Sequence, residues 1–313
     1  MNRDASAAGS ETADVVCVAS WNADLVSHVT RPIARGETLM ARAFSIGPGG
    51  KGSNAAVAAA RQGARVALIA RIGDDDFGRM GMDLWHAEGI AMAHVEQAPG
   101  ERSGVAQILV YDDGDNSIAV YPGAGAGLGA RHALAAGDLL ARCRVVMASC
   151  EVPVEATLQA FRLARQAHAI TVLNPAPARP LPEELLALVD VLTPNESELF
   201  DLAGPGCAGS IDAAAAQLLA RGTRSVLVTL GAAGCRLYQR GQAPVDLSGH
   251  AMPVADTIGA GDTFTGTLAA ALARGEALPD AMQWANAAAA LSVTRHGAIT
   301  GIPTQAEVAA LVA

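Results

Sequence analysis

Few folds are open to a chain that carries a rhythm of short β-rich apolar runs. They recur as VVCVA (15–19), VALIA (66–70), RVVMA (144–148), ITVL (170–173), VDVLT (189–193) and SVLVTL (225–230). Stretches of helical character lie at 51–62, 79–88, 154–168, 211–221, 260–274 and 280–294. A strand that reads as unbroken apolar residues is buried on both faces, and the alternating helices supply the cover. The expected fold is α/β, a doubly wound and mostly parallel sheet flanked by helices. Two regions break the rhythm, at 23–46 and 103–121. Neither has a helical period, and SGVAQILVYDDGDNSIAVY reads as two strands around an Asp-Asp-Gly-Asp-Asn turn. Together they are expected to form a small separate sheet whose apolar face needs cover from a ligand, another subunit or both.

Length and composition narrow the class. The chain has 313 residues, 51% hydrophobic and 17% charged, enough for a large core in residues 14–313. The net charge is −9 and no Lys/Arg block occurs, so a nucleic-acid surface is not expected and any anion site must be local. Cys17, Cys143, Cys150, Cys207 and Cys235 form no C-x-x-C pair and no zinc spacing, a usage that suits a reducing cytoplasm. Residues 1–13 are polar and lack the apolar segment of a signal peptide, so they read as a disordered lead-in. No apolar run reaches the roughly 18 residues of a membrane span.

The segment DTIGAGDTFTG (256–266) carries the most chemistry. Gly259 and Gly261 allow a tight turn with uncovered amides, and the apolar run that follows reads as a helix ending at Gly275. The loop thus sits at a helix N-terminus, where free N–H groups and the helix dipole favour an anion. Asp262 is then either an N-cap for its own helix or a general base beside amides kept for a phosphate.

Other segments are ambiguous taken singly. GPGGKGSN (47–54) contains G-x-G-x-x-G at Gly47, Gly49 and Gly52, with Asp74 at about the distance of a ribose-binding acid. A nicotinamide-dependent dehydrogenase built on it would leave Asp262 and its glycines without a role. The loop is not a Walker motif either, because Ser45 stands where the first glycine belongs. What remains is a glycine turn presenting Lys51 and Asn54, both able to donate to hydroxyls. Asn22 and Asp24 at spacing two face one side of an extended chain and can bind adjacent hydroxyls, or simply form an Asx turn. In TPNESELF (193–200), Asn195 and Glu198 read as a capping box, but they also share one helix face at a strand's C-terminal end and can serve a hydrated magnesium. LGAAG (230–234) indicates only a turn between strands.

Taken together, these segments resemble the ribokinase family of carbohydrate kinases from about Val15 to Leu311. The resemblance rests on DTIGAGDTFTG, GGKGSNAAVAAARQGA, GDDDFG, LNPAPARPLPEELLALVDVLTPNESE and AAAALSVTRHGA, in family order. It implies a helix-flanked sheet with a β-sheet lid that closes on the sugar and makes a homodimer contact. The implied reaction moves the γ-phosphoryl of ATP to a sugar's primary hydroxyl, with D-ribose the expected acceptor and fructose, another furanose sugar or a nucleoside the alternative. A sugar-binding protein without catalysis would have no reason to keep an acid at the anion site. By the resemblance Asp262 is the base, and Gly259, Ala260 and Gly261 form the anion hole with it. The sugar contacts are Asn22, Asp24, Gly50, Lys51, Asn54 and Glu151. Asn195, Thr229, Gly231, Gly234 and Asn286 border the nucleotide, and Asn195 and Glu198 serve Mg2+ through water. Asp256, Ile258, Ser292, Arg295 and Gly297 correspond to the K+ loops. Two positions depart from the family pattern: Trp21 replaces a smaller residue beside the sugar, and Gly301 stands where a serine often helps hold the cation.

Overall fold

The computed structural model describes residues 12–207 and 209–313. The apolar runs become the strands of a nine-stranded sheet ordered β13-β12-β11-β10-β9-β8-β1-β4-β5. From one edge these are β13 (Val245–Ser248), β12 (Gly234–Gln239), β11 (Ser225–Thr229), β10 (Val191–Leu192), β9 (Ile170–Asn174), β8 (Val145–Ser149), β1 (Val15–Ala19), β4 (Val66–Gly73) and β5 (Ala91–Ala98). Strands β11 through β5 pair in parallel, while β12 is antiparallel to both of its neighbours. Residues of β1 alternate between two cores, Val16 and Val18 facing one and Val15, Cys17 and Ala19 the other. That is why the strand is apolar throughout.

Residues in the two non-helical regions form a separate four-stranded sheet in the order β3-β2-β6-β7. Its strands are β2 (Asn22–His28), β3 (Ala43–Gly49), β6 (Gly104–Val110) and β7 (Asn116–Tyr121). β2 is antiparallel to β3 and parallel to β6, which sets Asn22 opposite Gly49 and Gly104, and Asp24 opposite Gly47 and Ala106. Gly47 and Gly49 therefore end an antiparallel lid strand, while Gly52 lies in the Lys51–Arg61 helix. This is not the parallel βαβ turn that a dinucleotide needs.

Several boundaries differ from those read in the sequence. The helix expected from 79 begins at Asp76, because the Asp75 side chain accepts from the Gly78 amide and caps it. The helix expected from 280 starts at Leu278, with Pro279 in the first turn where its missing N–H costs nothing. VDVLT keeps only two strand residues, Val191 and Leu192. β5 escaped notice because AMAHVEQA is a half-exposed edge with polar residues along it. Of the lead-in assigned to 1–13, only Thr12 and Ala13 fall within the described residues; Ala13 is buried, and the Thr12 hydroxyl accepts from Arg65 Nη1 at 2.8 Å.

Candidate active site

The loop 256–262 is held at its start by Asp256. One Asp256 carboxylate oxygen accepts from the Ile258 amide at 2.9 Å and the other from the Gly297 amide at 2.8 Å. Gly259 then turns the chain at φ 78° into the Ala260–Ala273 helix. A side chain there would be strained by that φ, and its Cβ would lie 3.0 Å from the Ala298 Cβ. Of the amides expected to form the anion hole, that of Ala260 donates to the Thr257 carbonyl at 3.3 Å. Those of Gly259, Gly261 and Asp262 have no acceptor among the described residues. Three N–H groups are thus left at a positive helix end, as an anion site requires.

Asp262 does not cap its own helix, which has no side-chain cap. Its carboxylate instead accepts from Asn54 Nδ2 at 2.9 Å and, more weakly, from Asn174 Nδ2 at 3.4 Å. Burial raises its pKa, outweighing the opposing influence of Lys51 and the Asn54 hydrogen bond, with Glu151 and Glu198 adding to the rise. Lys51 is raised in turn, chiefly by Asp262. A carboxylate moved up towards neutral pH is a stronger base than an exposed one.

The expected sugar contacts surround this group. Lys51 and Asn54 come from the first turn of the Lys51–Arg61 helix, entered through Gly50 at φ 91°. A Cβ at Gly50 would meet the Ser20 carbonyl at 2.8 Å, and one at Gly49 would overlap the Asp24 carboxylate at 2.2 Å. Asn54 Oδ1 is buried without a partner, an orphan acceptor that a ligand hydroxyl would satisfy. Glu151 Oε2 accepts from Ser20 Oγ at 2.6 Å and from the Lys51 amide at 2.8 Å, which orients the carboxylate and leaves Oε1 for a ligand. Sequence reasoning missed Ser20 and Asn174. Ser20 carries no motif of its own, and Asn174 was marked only by its place at the C-terminal end of an apolar strand.

The Trp21 side chain does not join the expected sugar contacts. It is buried in the core, donates from Nε1 to the Phe77 carbonyl at 3.0 Å, and meets Trp85 edge-on with ring centroids 5.4 Å apart. Gly81 makes room for it, since a Cβ there would sit 2.9 Å from the indole.

Burial pushes the Asp24 carboxyl up to about 7, with Glu151 and Asp262 adding to the shift and Lys51 opposing it. Hydroxyl donors favour the ionised form, so a sugar held by Asp24, as the resemblance implies, would have to expel a proton below that pH. The calorimetric Kd for sugar should therefore fall as pH rises through about 7 and level off above it. Asp24→Asn should flatten the curve; a Kd independent of pH in the unmodified protein would contradict this role.

On the other side of the same helix turn lies a cleft of about 830 Å³. Asn195, Thr229, Gly231, Gly234 and Asn286 all line it, as do Ala260 and Gly261. Gly261 thus faces the cleft while Asp262, one residue on, faces Asn54. Asn286 Nδ2 donates to the Ser248 carbonyl at 3.0 Å, holding β13 to the Leu278–Ser292 helix. Met252 and Val254 also line the cleft, in a segment with no glycine or charge pattern to signal it. Asn195 and Glu198 form the full capping box, each side chain accepting from the other's amide. Glu198 Oε1 has no partner among the described residues, and burial raises the pKa of its carboxyl. Among the described residues no three acidic, histidine or cysteine side chains converge as a direct metal cage. Glu198 itself does not line the cleft, although its neighbours Asn195, Glu196 and Ser197 do, and its carboxylate feels the charge of Lys51 and acts on Asp262. One carboxylate oxygen placed so would suit a magnesium held mostly by water and phosphate. A Cβ at Gly301 would sit 2.7 Å from the Ser292 carbonyl oxygen and 3.6 Å from that of Arg295. The first distance is too short for any side chain without a shift of the backbone, so the serine of the family pattern does not fit this loop as it stands.

A buried acid between a nucleotide-sized cleft and a cluster of hydroxyl-binding groups, on a doubly wound sheet with a lid, defines a carbohydrate kinase. The chain belongs to the pfkB family of carbohydrate kinases, whose profile matches residues 12–305. It is 37% identical over 290 residues to a ribokinase of Haemophilus influenzae, covering 92% of this chain and 94% of that protein. It is 34% identical over 294 residues to a deoxyribokinase of Salmonella typhi, covering 93% and 96% respectively. The structure of Arabidopsis thaliana ribokinase complexed with ribose and ATP matches with a TM-score of 0.89 and 30% identity, over 96% of this chain and 99% of that one.

Proposed function

We propose that this chain phosphorylates the primary hydroxyl of D-ribose with ATP, giving ribose 5-phosphate. The observation that carries the reading is the position of Asp262, buried between the cleft and the group formed by Asn22, Asp24, Lys51, Asn54 and Glu151. Asp262 takes the proton of the attacking hydroxyl as its oxygen bonds to phosphorus and the bond to ADP breaks. The amides of Gly259, Gly261 and Asp262 stabilise charge on the transferring group, and Lys51 offsets the charge of the surrounding carboxylates. Asn195 and Glu198 would hold a magnesium through water, and when bound it would supply further charge neutralisation. The ribokinase relatives support ribose, and the deoxyribokinase makes 2-deoxyribose the rival. Trp21 leaves the pocket open and does not choose between a pentose and fructose.

The test is a coupled ADP assay over ribose, 2-deoxyribose, arabinose, fructose, tagatose, adenosine and cytidine. Ribose should give the highest kcat/KM. Another acceptor ahead by about tenfold, roughly 1.4 kcal/mol at the transition state, would replace ribose as the substrate. The same assay tests the cation loops of Asp256, Ile258, Ser292, Arg295 and Gly297. Asp256 ties the base loop to Gly297, so an ion bound there should order the anion hole. Potassium should activate more than sodium at fixed ionic strength, and equal rates in potassium, sodium and a bulky organic cation would dismiss the site.

A lid homodimer is supported by the exposed apolar residues Phe44, Ile46, Ile118, Val120 and Tyr121 on β3 and β7. Sedimentation should give a dimer that Phe44→Asp weakens; a monomer at every concentration would exclude it. The five cysteines are free and buried, which supports a reducing cytoplasm. No helix among the described residues is long and apolar enough to cross a membrane.

A further inference from the structure

The turn GDDDFG (73–78) touches neither the cleft nor the base, yet it holds the root of the lid at two points. Asp75 Oδ1 accepts from the Gly78 amide at 2.8 Å and from Ser103 Oγ at 2.7 Å. Its Oδ2 accepts from the Ser103 amide at 2.9 Å, and Ser103 Oγ accepts from the Gly73 amide at 3.0 Å. Ser103 is fully buried and immediately precedes β6. The Phe77 carbonyl of the same turn receives the indole N–H of Trp21, which immediately precedes β2. Both lid strands that start at the sugar end are therefore gripped where they leave the large sheet.

The first residues of those strands are paired, Asn22 with Gly104. They are so close that a Cβ on Gly104 would lie 2.3 Å from Asn22 Oδ1. The Gly104 backbone is thus a wall against which the Asn22 amide rests, and Asp75 sets the position of that wall through Ser103. We propose that Asp75 is a positioning residue for the sugar site, anchoring β6 so that Asn22 is aimed at the sugar. The inference rests on Asn22 binding the acceptor sugar. It predicts a defect in sugar binding and not in phosphoryl transfer, because among the described residues the turn makes no hydrogen bond to Asp262 or to the amides beside it.

Removing Asp75 altogether also uncaps the Asp76–Ala87 helix, so loss of stability alone says nothing about the sugar. Asp75→Asn separates the two roles. Asparagine caps as well as aspartate, with its oxygen available to Gly78 and to Ser103 Oγ, but its amide nitrogen cannot accept from the Ser103 N–H. Ser103→Ala removes the hydroxyl side of the same grip. Both variants should raise the calorimetric Kd and the KM for ribose by about tenfold or more, the scale of a lost hydrogen bond to a charged group. The kcat at saturating ribose and the KM for ATP should stay within about twofold, since no group that contacts the nucleotide has changed. Wild-type ribose affinity in both variants, or a fall in kcat with unchanged KM, would overturn the proposal. Should the unmodified protein prefer another sugar, the ribose assignment fails by itself, and the KM for that sugar in the same two variants decides the role of Asp75.

Discussion

Asp262→Asn is expected to lower kcat by about 10² to 10⁴, the usual contribution of a positioned general base. The substitution is nearly isosteric, and an asparagine oxygen at 262 can still receive the Asn54 amide that now donates at 2.9 Å. Nucleotide affinity should be kept, because the cleft is lined by Gly261 and not by the Asp262 side chain. Stability should hold or rise. The Asp262 pKa is raised mainly by burial, so the folded protein bears a cost for an ionised carboxylate at neutral pH that an amide does not incur. The sign is clear: a carboxyl with a raised folded-state pKa costs stability as pH climbs above its unfolded value. The measurements are kcat at saturating sugar and ATP, nucleotide Kd, and Tm. A kcat within about threefold of the unmodified enzyme, with fold and binding intact, would remove Asp262 from the base role.

Gly266→Ala is expected to damage stability and turnover together. Gly266 lies one turn beyond Asp262, where the Ala260–Ala273 helix crosses the Lys51–Arg61 helix, and a methyl group there would sit 2.1 Å from the Ala55 carbonyl oxygen and 2.8 Å from the Ala58 Cβ. Neither neighbour is a flexible side-chain tip, so the helices must separate. Overpacking of this kind costs about 1–3 kcal/mol, and each kcal/mol lowers Tm by roughly 2–4 °C in a chain of this size class. The catalytic consequence follows from adjacency. Asn54 precedes Ala55, and a displacement of roughly 1 Å between Asn54 and Asp262 can cost on the order of 10² in rate. Gly137→Ala is the control, because its added methyl meets nothing within 4 Å. Wild-type Tm and kcat in Gly266→Ala would show that the crossing has slack, and that the close approach of the two helices does not set the Asn54–Asp262 geometry.

Both predictions join residues far apart in the chain, and this marks how much of the site was legible beforehand. Strands such as VVCVA and VALIA declare themselves because a parallel strand covered on both sides needs apolar residues at every position. The loop 256–262 declares itself because a tight turn into a helix needs glycine and an anion needs free amides. Lid strands were visible as regions without a helical period, while β5 was hidden by the mixed polarity of an edge. Asn195 and Glu198 show the limit of local inference. Their spacing called for a capping box and allowed a metal role, and the capping box is present with one carboxylate oxygen left over.

What the sequence determines by itself is whatever depends on neighbours in the chain: which segments are buried strands, where helices begin, and which loop can hold an anion beside an acid. Tertiary structure alone decides what a polar side chain faces when its partner lies far along the chain. Asn54 and Asn174 reach Asp262 across 208 and 88 residues. Ser20 orients Glu151 across 131. Trp21 turns to Phe77 and Trp85 and into the core. The physical reason is that a propensity or a turn is settled by a few adjacent dihedral angles. A hydrogen-bond partner for a buried group is settled only when the sheet has brought distant strand ends to the same edge, and the cost of leaving that group unpaired then selects the arrangement.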